Sequence, residues 1–161
     1  GGSGNAGAVG SMPLGPGDAS GGPPRQLLNV ASLFTLESMY AQAGLDAGAL
    51  ADARAVASPW LSVTQAWLQQ ATPALAMAIN GAAALLDLEG VVIDGSFSRE
   101  MLAALQAELG VALDRCNWEG VSRPEVLAGT MGADAGAIGG ALLPLYANFA
   151  PDRNLFLKLD R

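Results

Sequence analysis

Three stretches that contain glycine are the parts of this sequence whose residue types could hold a ligand. They read "NAGAVGSMP" at residues 5–13, "VVIDGSFS" at residues 91–98 and "GADAGAIGGALLPL" at residues 132–145. Glycine lets backbone N–H groups approach a phosphate closely, and the N-terminal end of a helix attracts anions. The third stretch has neither the G-x-G-x-x-G order of a dinucleotide site nor the lysine of a P-loop. Its small residues also fit a helix that packs tightly on neighbouring strands.

Other side chains with catalytic chemistry are scarce. The sequence contains no histidine and a single cysteine, Cys116. Disulfide frameworks, Cys/His zinc sites, Ser-His-Asp triads and imidazole bases therefore cannot be built from these residues. We expect Cys116 to be a packing residue or an incidental thiol. Trp60, Trp67 and Trp118 could stack on a sugar ring, although such residues are more typical of a core or an interface.

The charge balance argues against nucleic-acid contact through this segment. Its 161 residues include 8 basic and 15 acidic ones, a net charge of −7, and the basic residues are scattered. DNA binding needs concentrated positive charge that displaces counterions. Apolar runs such as residues 82–86 are far too short to span a membrane, and the start lacks the order of a signal peptide. We expect a cytoplasmic protein, and the missing initiating methionine suggests that residue 1 lies within a longer gene product.

The hydrophobic pattern predicts a helix-rich chain after an initial loop. Residues 1–24 are rich in glycine, proline and serine and form the predicted loop. Apolar residues at helical spacing then predict helices over residues 25–43, 46–57 and 62–88, with Gly44 ending the first of them. Pro73 lacks a backbone N–H, so we expect it to kink the third helix or to begin a new one.

The second half of the sequence alternates strand and helix patterns. The short β-branched run at residues 91–93, bounded by glycine, is typical of a buried parallel strand. A second strand pattern follows after a helix, and this order predicts a right-handed crossover and a parallel pair. The class is therefore α/β with an excess of helix. The predicted elements are a strand at residues 91–93, a helix at 99–113 capped by Ser98, a strand at 124–130 and a helix at 133–149 that bends or ends near Pro144.

The stretches at residues 5–13, 91–98 and 132–145 resemble motifs of the ROK family, which groups repressors, open reading frames and kinases within the sugar kinase and actin-like ATPase superfamily. "NAGAVGSMP" resembles the family's A-G-E-I-G-H-M-x-V segment, "VVIDGSFS" its strand V-V-I-G-G-G-V-S, and the third stretch its closing G-x-x-A-x-x-x-G-A-A helix. The resemblance implies an α/β, ribonuclease H-like fold, helix-rich with a short parallel sheet. Residues 1–24 would lie at the edge of the sugar cleft, and residues 25–161 would form the C-terminal lobe, without the N-terminal lobe and any DNA-binding domain.

The resemblance further implies that Asn5, Gly7 and Ser11 contact a sugar or sugar-phosphate effector. Family kinases carry a sugar-binding glutamate and a zinc-binding histidine in this loop, where this sequence has Ala8 and Ser11. The family's C-x-C-G-x-x-G-C-x-E motif is absent, and Leu28 stands where a second sugar-binding glutamate would be. We therefore expect no bound zinc. We also expect a sugar to bind weakly in the orientation that kinases use, since each sugar hydroxyl left without a hydrogen bond costs roughly 1–3 kcal/mol of binding free energy.

The same resemblance implies that Asp94, Gly95, Ser96 and Gly132 lie on the nucleotide side of the cleft. Family kinases use consecutive glycines there, and Asp94 replaces the first of them. The bulk and charge of this carboxylate argue against bound ATP. The alternative role for Asp94 is to accept backbone hydrogen bonds at a strand-to-helix turn, with Gly95 serving the turn geometry.

Three functions stay open. We expect the C-terminal effector-sensing and dimerisation lobe of a sugar-responsive transcriptional regulator, acting as a homodimer, because an effector site tolerates the lost carboxylates better than a kinase does. The alternative is the C-terminal half of a zinc-free, ATP-dependent hexose or N-acetyl amino-sugar kinase, which alone would use ATP and Mg²⁺. A third is a lobe that only dimerises. In each case we expect no catalysis by this chain, because the family's phosphate loop and catalytic base lie outside it.

Overall fold

The computed structural model describes residues 7–15 and 22–149, with side chains up to residue 143. This part of the chain forms α1 (Leu27–Ala31), α2 (Leu33–Gln42), α3 (Leu61–Leu86), β1 (Gly90–Ile93), α4 (Arg99–Asp114), β2 (Glu125–Ala128) and α5 (Ala135–Phe149). Short 3₁₀ helices lie at Val9–Ser11, Ala47–Ala51, Ala53–Val56 and Gly132–Asp134. The predicted helix-rich α/β class with a short parallel sheet is confirmed. Within the described ranges, no helix combines the length and apolar character needed to cross a bilayer.

Ser32 divides the helix predicted over residues 25–43 into α1 and α2. Its backbone is extended, with φ −76° and ψ 150°, and its hydroxyl accepts a hydrogen bond from the Thr35 N–H at 3.2 Å. This N-cap gives the backbone an alternative to continuing one helix. The prediction of a single helix is therefore wrong. Its predicted end is confirmed, because α2 stops just before Gly44, which has φ +70°.

The structure has two 3₁₀ helices where one helix was predicted over residues 46–57, and an aspartate begins each of them. Asp46 and Asp52 each accept the backbone N–H two residues further on, at 2.9 Å, so each carboxylate starts a new turn. The Arg54 guanidinium pairs with both carboxylates and lies 5.3 Å from the centre of the Trp60 ring. Local side-chain capping thus overrides the helical propensity of this alanine-rich segment.

Helix α3 continues through Pro73 as one helix of 26 residues. Proline lacks the N–H that would bond to the Gln69 carbonyl. Both residues lie on the exposed side of α3, where water can hydrate that carbonyl, so the helix is not interrupted. Of the two outcomes predicted for Pro73, the start of a new helix does not occur. The helix ends at Asp87, whose left-handed φ of 51° and N–H bond to the Ala83 carbonyl close the last turn.

Strands β1 and β2 pair in parallel, as predicted, with α4 connecting them. Val91, Ile93 and Val126 pack against the helical core. Val92 and Leu127 are opposite each other in the register and are 63% and 43% exposed. The prediction of fully buried strands is therefore wrong. In the described part of the chain, helices cover only one face of this sheet.

Helices α2, α3 and α4 meet in the main hydrophobic core. Trp67 of α3 is 2% exposed there, and it belongs to one buried cluster with Leu36, Tyr40 and Met101. A second cluster around Leu109 of α4 joins α3 to the inner face of the sheet. The burial of Trp67 assigns it to the core and excludes it as a platform for a sugar ring.

A buried hydroxyl pair in this core predicts a measurable effect on stability. Thr64 donates to the Ala55 carbonyl at 2.6 Å, so Tyr40 donates its own hydroxyl proton to Thr64. Thr64→Val keeps the shape of the side chain but leaves both partners unpaired. We expect the free energy of unfolding to fall by about 2–4 kcal/mol, as urea denaturation followed by circular dichroism would measure. The exposed change Gln65→Ala on the same helix is the control, and an equal loss in both variants would contradict the assignment.

Candidate functional site

The carboxyl ends of β1 and β2 gather the residues that the resemblance placed on the nucleotide side. Asp94 and Gly95 directly follow β1, and Gly132 follows β2 in the turn that leads into α5. Parallel strands end at the same edge of a sheet, which is where α/β folds most often bind ligands. Ser96 lies in the same loop as Gly95 and is exposed. This edge is the candidate site.

The Asp94 carboxylate accepts hydrogen bonds from both loops. Its Oδ2 accepts the N–H of Met131 at 2.9 Å and that of Gly132 at 3.0 Å. Its Oδ1 accepts the N–H of Gly95 at 2.9 Å and lies 3.2 Å from the Arg99 guanidinium. The Gly132 N–H makes the largest contribution to a lowered pKa of Asp94, against a smaller opposing effect of desolvation. Asp94 is thus an anion at neutral pH. It accepts backbone hydrogen bonds at the strand-to-helix turn, which is the alternative role that the sequence suggested for it.

Arg99 and Gly129 complete the site, and the sequence analysis missed both. Arg99 Nη1 donates to the Gly129 carbonyl at 2.7 Å while Nη2 contacts Asp94. Gly129 passes so close to Asp94 that an added Cβ would lie 2.4 Å from the Asp94 Cβ. Gly132 has φ +56°, and a Cβ there would lie 2.2 Å from an Arg99 nitrogen. The sequence signal for Gly129 is its position just after a predicted strand. Such a glycine indicates a turn, but it does not indicate which residue the turn lies against.

A cleft of about 540 Å³ opens beside this site, between the N-terminal ends of α4 and α5 and the 3₁₀ helices before α3. Three acidic side chains, Asp52, Glu100 and Asp134, line it together with Arg99. Negative charge therefore exceeds positive charge among the lining residues that the structure describes. A phosphate group in this cleft would be repelled by that charge. The hydrogen bonds of Asp94 connect the loop after β1 to the loop after β2.

The residues that the resemblance placed on the sugar side lie on a separate loop near the start of the chain. Gly7 forms a turn with φ +85°. Ala8 and Ser11 are both exposed, and Ser11 ends the first 3₁₀ helix. Asn5 lies outside the described residues. Ser11 is the polar side chain among residues 7–15.

The surface around this loop is apolar where the resemblance would require carboxylates. Leu28 of α1 is 44% exposed, and Val9 is 56% exposed. Leu28 packs beside Gly10, where an added Cβ would lie 3.4 Å from the Leu28 Cβ. No acidic residue or histidine occurs in residues 7–15 or 22–31. A sugar hydroxyl at this surface would meet carbon rather than a carboxylate oxygen.

The two groups of predicted site residues do not share a pocket in the described part of the chain. The first loop packs on α1, whereas the Asp94 site is built by the sheet edge, α4 and the start of α5. An apolar groove of about 640 Å³ borders the first loop instead. The groove was not predicted from the sequence, because the packing of α1 against α3 creates it. Its lining includes Leu14, Pro24, Val30, Pro73 and Met77.

Metal ligands are scarce where the structure describes the chain. No group of three or more His, Cys, Asp or Glu side chains in residues 7–15 and 22–149 is arranged to hold a metal ion. Cys116 is half-buried, and its thiol donates to the Ala112 carbonyl at 3.7 Å. This geometry fits a packing residue.

Comparison with solved structures shows the fold of this chain. The solved structure that carries this result is the ROK hexokinase from Thermus thermophilus, with a TM-score of 0.58 and 22% identity. The match covers 86% of this chain and 47% of that hexokinase, so this chain spans about half its length. No family model matches the sequence, and no curated protein matches it. The fold inferred from the three motifs is thereby confirmed.

Proposed function

We propose that this chain is the C-terminal effector-sensing and dimerisation lobe of a ROK-type, sugar-responsive transcriptional regulator. The observation that carries the proposal is the Asp94 carboxylate, which accepts the N–H groups of Gly95, Met131 and Gly132. Backbone donors in such turns can hold the oxygens of a phosphate. Here an anion of the chain itself uses them. This arrangement supports effector sensing over phosphate transfer.

The charge of the neighbouring cleft supports the same proposal. A nucleotide bound at the strand ends would bring several negative charges close to Asp94 and to the acidic lining residues Glu100 and Asp134. Like charges at short range repel strongly where solvent screening is reduced. An uncharged sugar on the other loop would not meet this repulsion. We therefore propose that the effector binds without ATP.

The first loop supports a sugar site that differs from that of a kinase. We propose that Asn5, Gly7 and Ser11 contact a sugar or sugar-phosphate effector. Val9 and Leu28, which packs beside Gly10, are exposed and offer apolar contact to the carbon face of a sugar ring. Hydrogen bonds to the ring hydroxyls would come from Ser11 and backbone groups. Such a site recognises a ligand without a base that removes its proton.

Homodimerisation through this lobe belongs to the same proposal, as do a cytoplasmic location and DNA contact through another segment. The outer face of the sheet supports dimerisation, because Val92 and Leu127 form an exposed apolar pair there. Exposed apolar patches of this kind often mark protein interfaces. The basic residues are scattered, which supports the proposal that another segment contacts DNA and this lobe does not.

A zinc-free, ATP-dependent hexose or N-acetyl amino-sugar kinase is the second candidate. The similarity to a solved ROK hexokinase favours it. Gly95 and Gly132 keep the small residues that a nucleotide site at the strand ends would require. Only this candidate calls for ATP and Mg²⁺, and its catalytic base would lie outside these residues.

Ligand titration of the full-length protein that contains this chain tests the proposal. Isothermal titration calorimetry would be run with hexoses, N-acetyl amino sugars, hexose phosphates and Mg²⁺-ATP. We expect heat with a sugar or sugar phosphate and none with Mg²⁺-ATP. A coupled assay should find no ATP hydrolysis that depends on sugar. Such hydrolysis would support the kinase, and the absence of heat with every ligand would support a lobe that only dimerises.

A matched pair of variants locates the effector site. Ser11→Ala removes a hydroxyl from the first loop and should weaken effector binding about tenfold, which corresponds to about 1.4 kcal/mol. Val111→Ala changes an exposed residue of α4 and should leave the affinity unchanged. If the two variants bind the effector equally well, Ser11 does not contact it.

A further inference from the structure

Helix α5 is attached to the rest of the described chain mainly through the turn that precedes it. Its principal contacts are with the 3₁₀ helix Gly132–Asp134. Of its described side chains, from Ala135 to residue 143, Ile138 is half-buried and the others are exposed. Gly136 and Gly139 have open space around them. The orientation of α5 therefore depends on what holds the turn.

Asp94 is what holds the turn. One carboxylate oxygen, Oδ2, accepts both the Met131 N–H and the Gly132 N–H. Just before them, Gly129 is fixed differently, because its N–H bonds to the Ile93 carbonyl at 2.7 Å and its carbonyl accepts from Arg99. Loss of the carboxylate contact would therefore release Met131 and all that follows, while β2 stays in the sheet.

We propose that Asp94 is a latch that fixes α5 to the lobe, and that opening this latch frees α5 as a unit about a hinge between Gly129 and Met131. The inference goes beyond the proposed function and does not depend on it, since it concerns a conformational device within the described residues. Both latch bonds end on a single oxygen. One displacement of that side chain breaks both.

Gly129 offers a way to open the latch without changing the carboxylate. A Cβ at this position would lie 2.4 Å from the Asp94 Cβ and 2.5 Å from Asp94 Oδ2, so Gly129→Ala must move the backbone at Gly129 away from Asp94 and so separate the carboxylate from the two N–H groups. Asp94→Ala removes the same contact directly. Two unrelated changes should thus produce the same open state.

Backbone hydrogen exchange of the full 161-residue chain tests the latch. A helix of 15 residues that is detached from its neighbours is marginal in water, so its own hydrogen bonds open more often. We therefore expect Asp94→Ala and Gly129→Ala each to speed exchange at Met131, Gly132 and the amides of α5 by at least tenfold. Exchange in α3 and α4 should stay as in the wild type. Asp114→Ala is the control, because it removes the exposed ion pair with Arg123 and leaves the latch intact.

The double variant gives the decisive readout. If both changes open one latch, Asp94→Ala combined with Gly129→Ala should exchange no faster in α5 than the faster single variant. Multiplied effects would overturn the proposal. So would faster exchange spread evenly over α3, α4 and α5, or α5 amides that already exchange at unprotected rates in the wild type.

Discussion

Replacing Trp67 with alanine should lower the free energy of unfolding by about 3–5 kcal/mol. The side chain is 2% exposed and packs in one cluster with Leu36 of α2 and Met101 of α4. Its removal would leave a cavity at the point where three helices meet. Natural domains are stable by only about 5–15 kcal/mol, so this single change should remove a large share of the total. Urea denaturation followed by far-ultraviolet circular dichroism is the measurement.

Gln69→Ala is the matched control for Trp67. Gln69 lies on the exposed side of the same helix, so the change should alter stability by less than about 0.5 kcal/mol. If Trp67→Ala costs less than about 1 kcal/mol, then the three helices do not depend on this side chain, contrary to the cavity argument.

Leu109→Ala should cost about 2–5 kcal/mol. Leu109 is fully buried on α4 and belongs to the cluster with Ile79 of α3, against which Val91 and Val126 of the sheet pack. It therefore supports the inner face of the sheet whose carboxyl edge carries Asp94. The loss should appear as a lower denaturant midpoint with an unchanged slope, because the unfolded state exposes the same surface.

Val111→Ala provides the comparison on the same helix. Val111 is 47% exposed, so its truncation should change stability by less than about 0.5 kcal/mol. Similar midpoints for the two variants would mean that the Leu109 cluster contributes little to holding α4 on the sheet. The pair thus separates the effect of burial from that of helix propensity, which changes in the same direction in both.

Periodicity predicted the helices well where packing rather than capping decides the structure. The α3 and α4 stripes and the Ser98 cap follow directly from apolar spacing and a hydroxyl before the first turn, and the Ser98 hydroxyl accepts the Met101 N–H as a cap should. Ser32 and the two aspartates before α3 were not recognised, because a capping residue inside an alanine-rich or leucine-rich run resembles a tolerated polar position. Tertiary packing decides whether such a residue caps a new helix or lies within a continuous one.

Two residues of the candidate site were predictable from the sequence, but the contacts between its two loops were not. Asp94 and Gly132 stand out as a carboxylate and a glycine after successive strands. Arg99 and Gly129 gave no comparable signal, since their contact joins residues about 30 positions apart and depends on the crossover bringing two loops together. The exposure of Val92 was missed for a similar reason. Strand composition shows that a segment can be buried, but not which of its faces is covered.

The close passage of Gly129 beside Asp94 also restricts the order in which these two positions can change. While a carboxylate occupies position 94, any side chain at position 129 would collide with it. Only glycine at position 94 removes this collision, because any other residue keeps the Cβ that an added Cβ at position 129 would approach to 2.4 Å. Substitution must therefore begin at Asp94, and related sequences with glycine at this place should tolerate a wider range of residues at the position of Gly129.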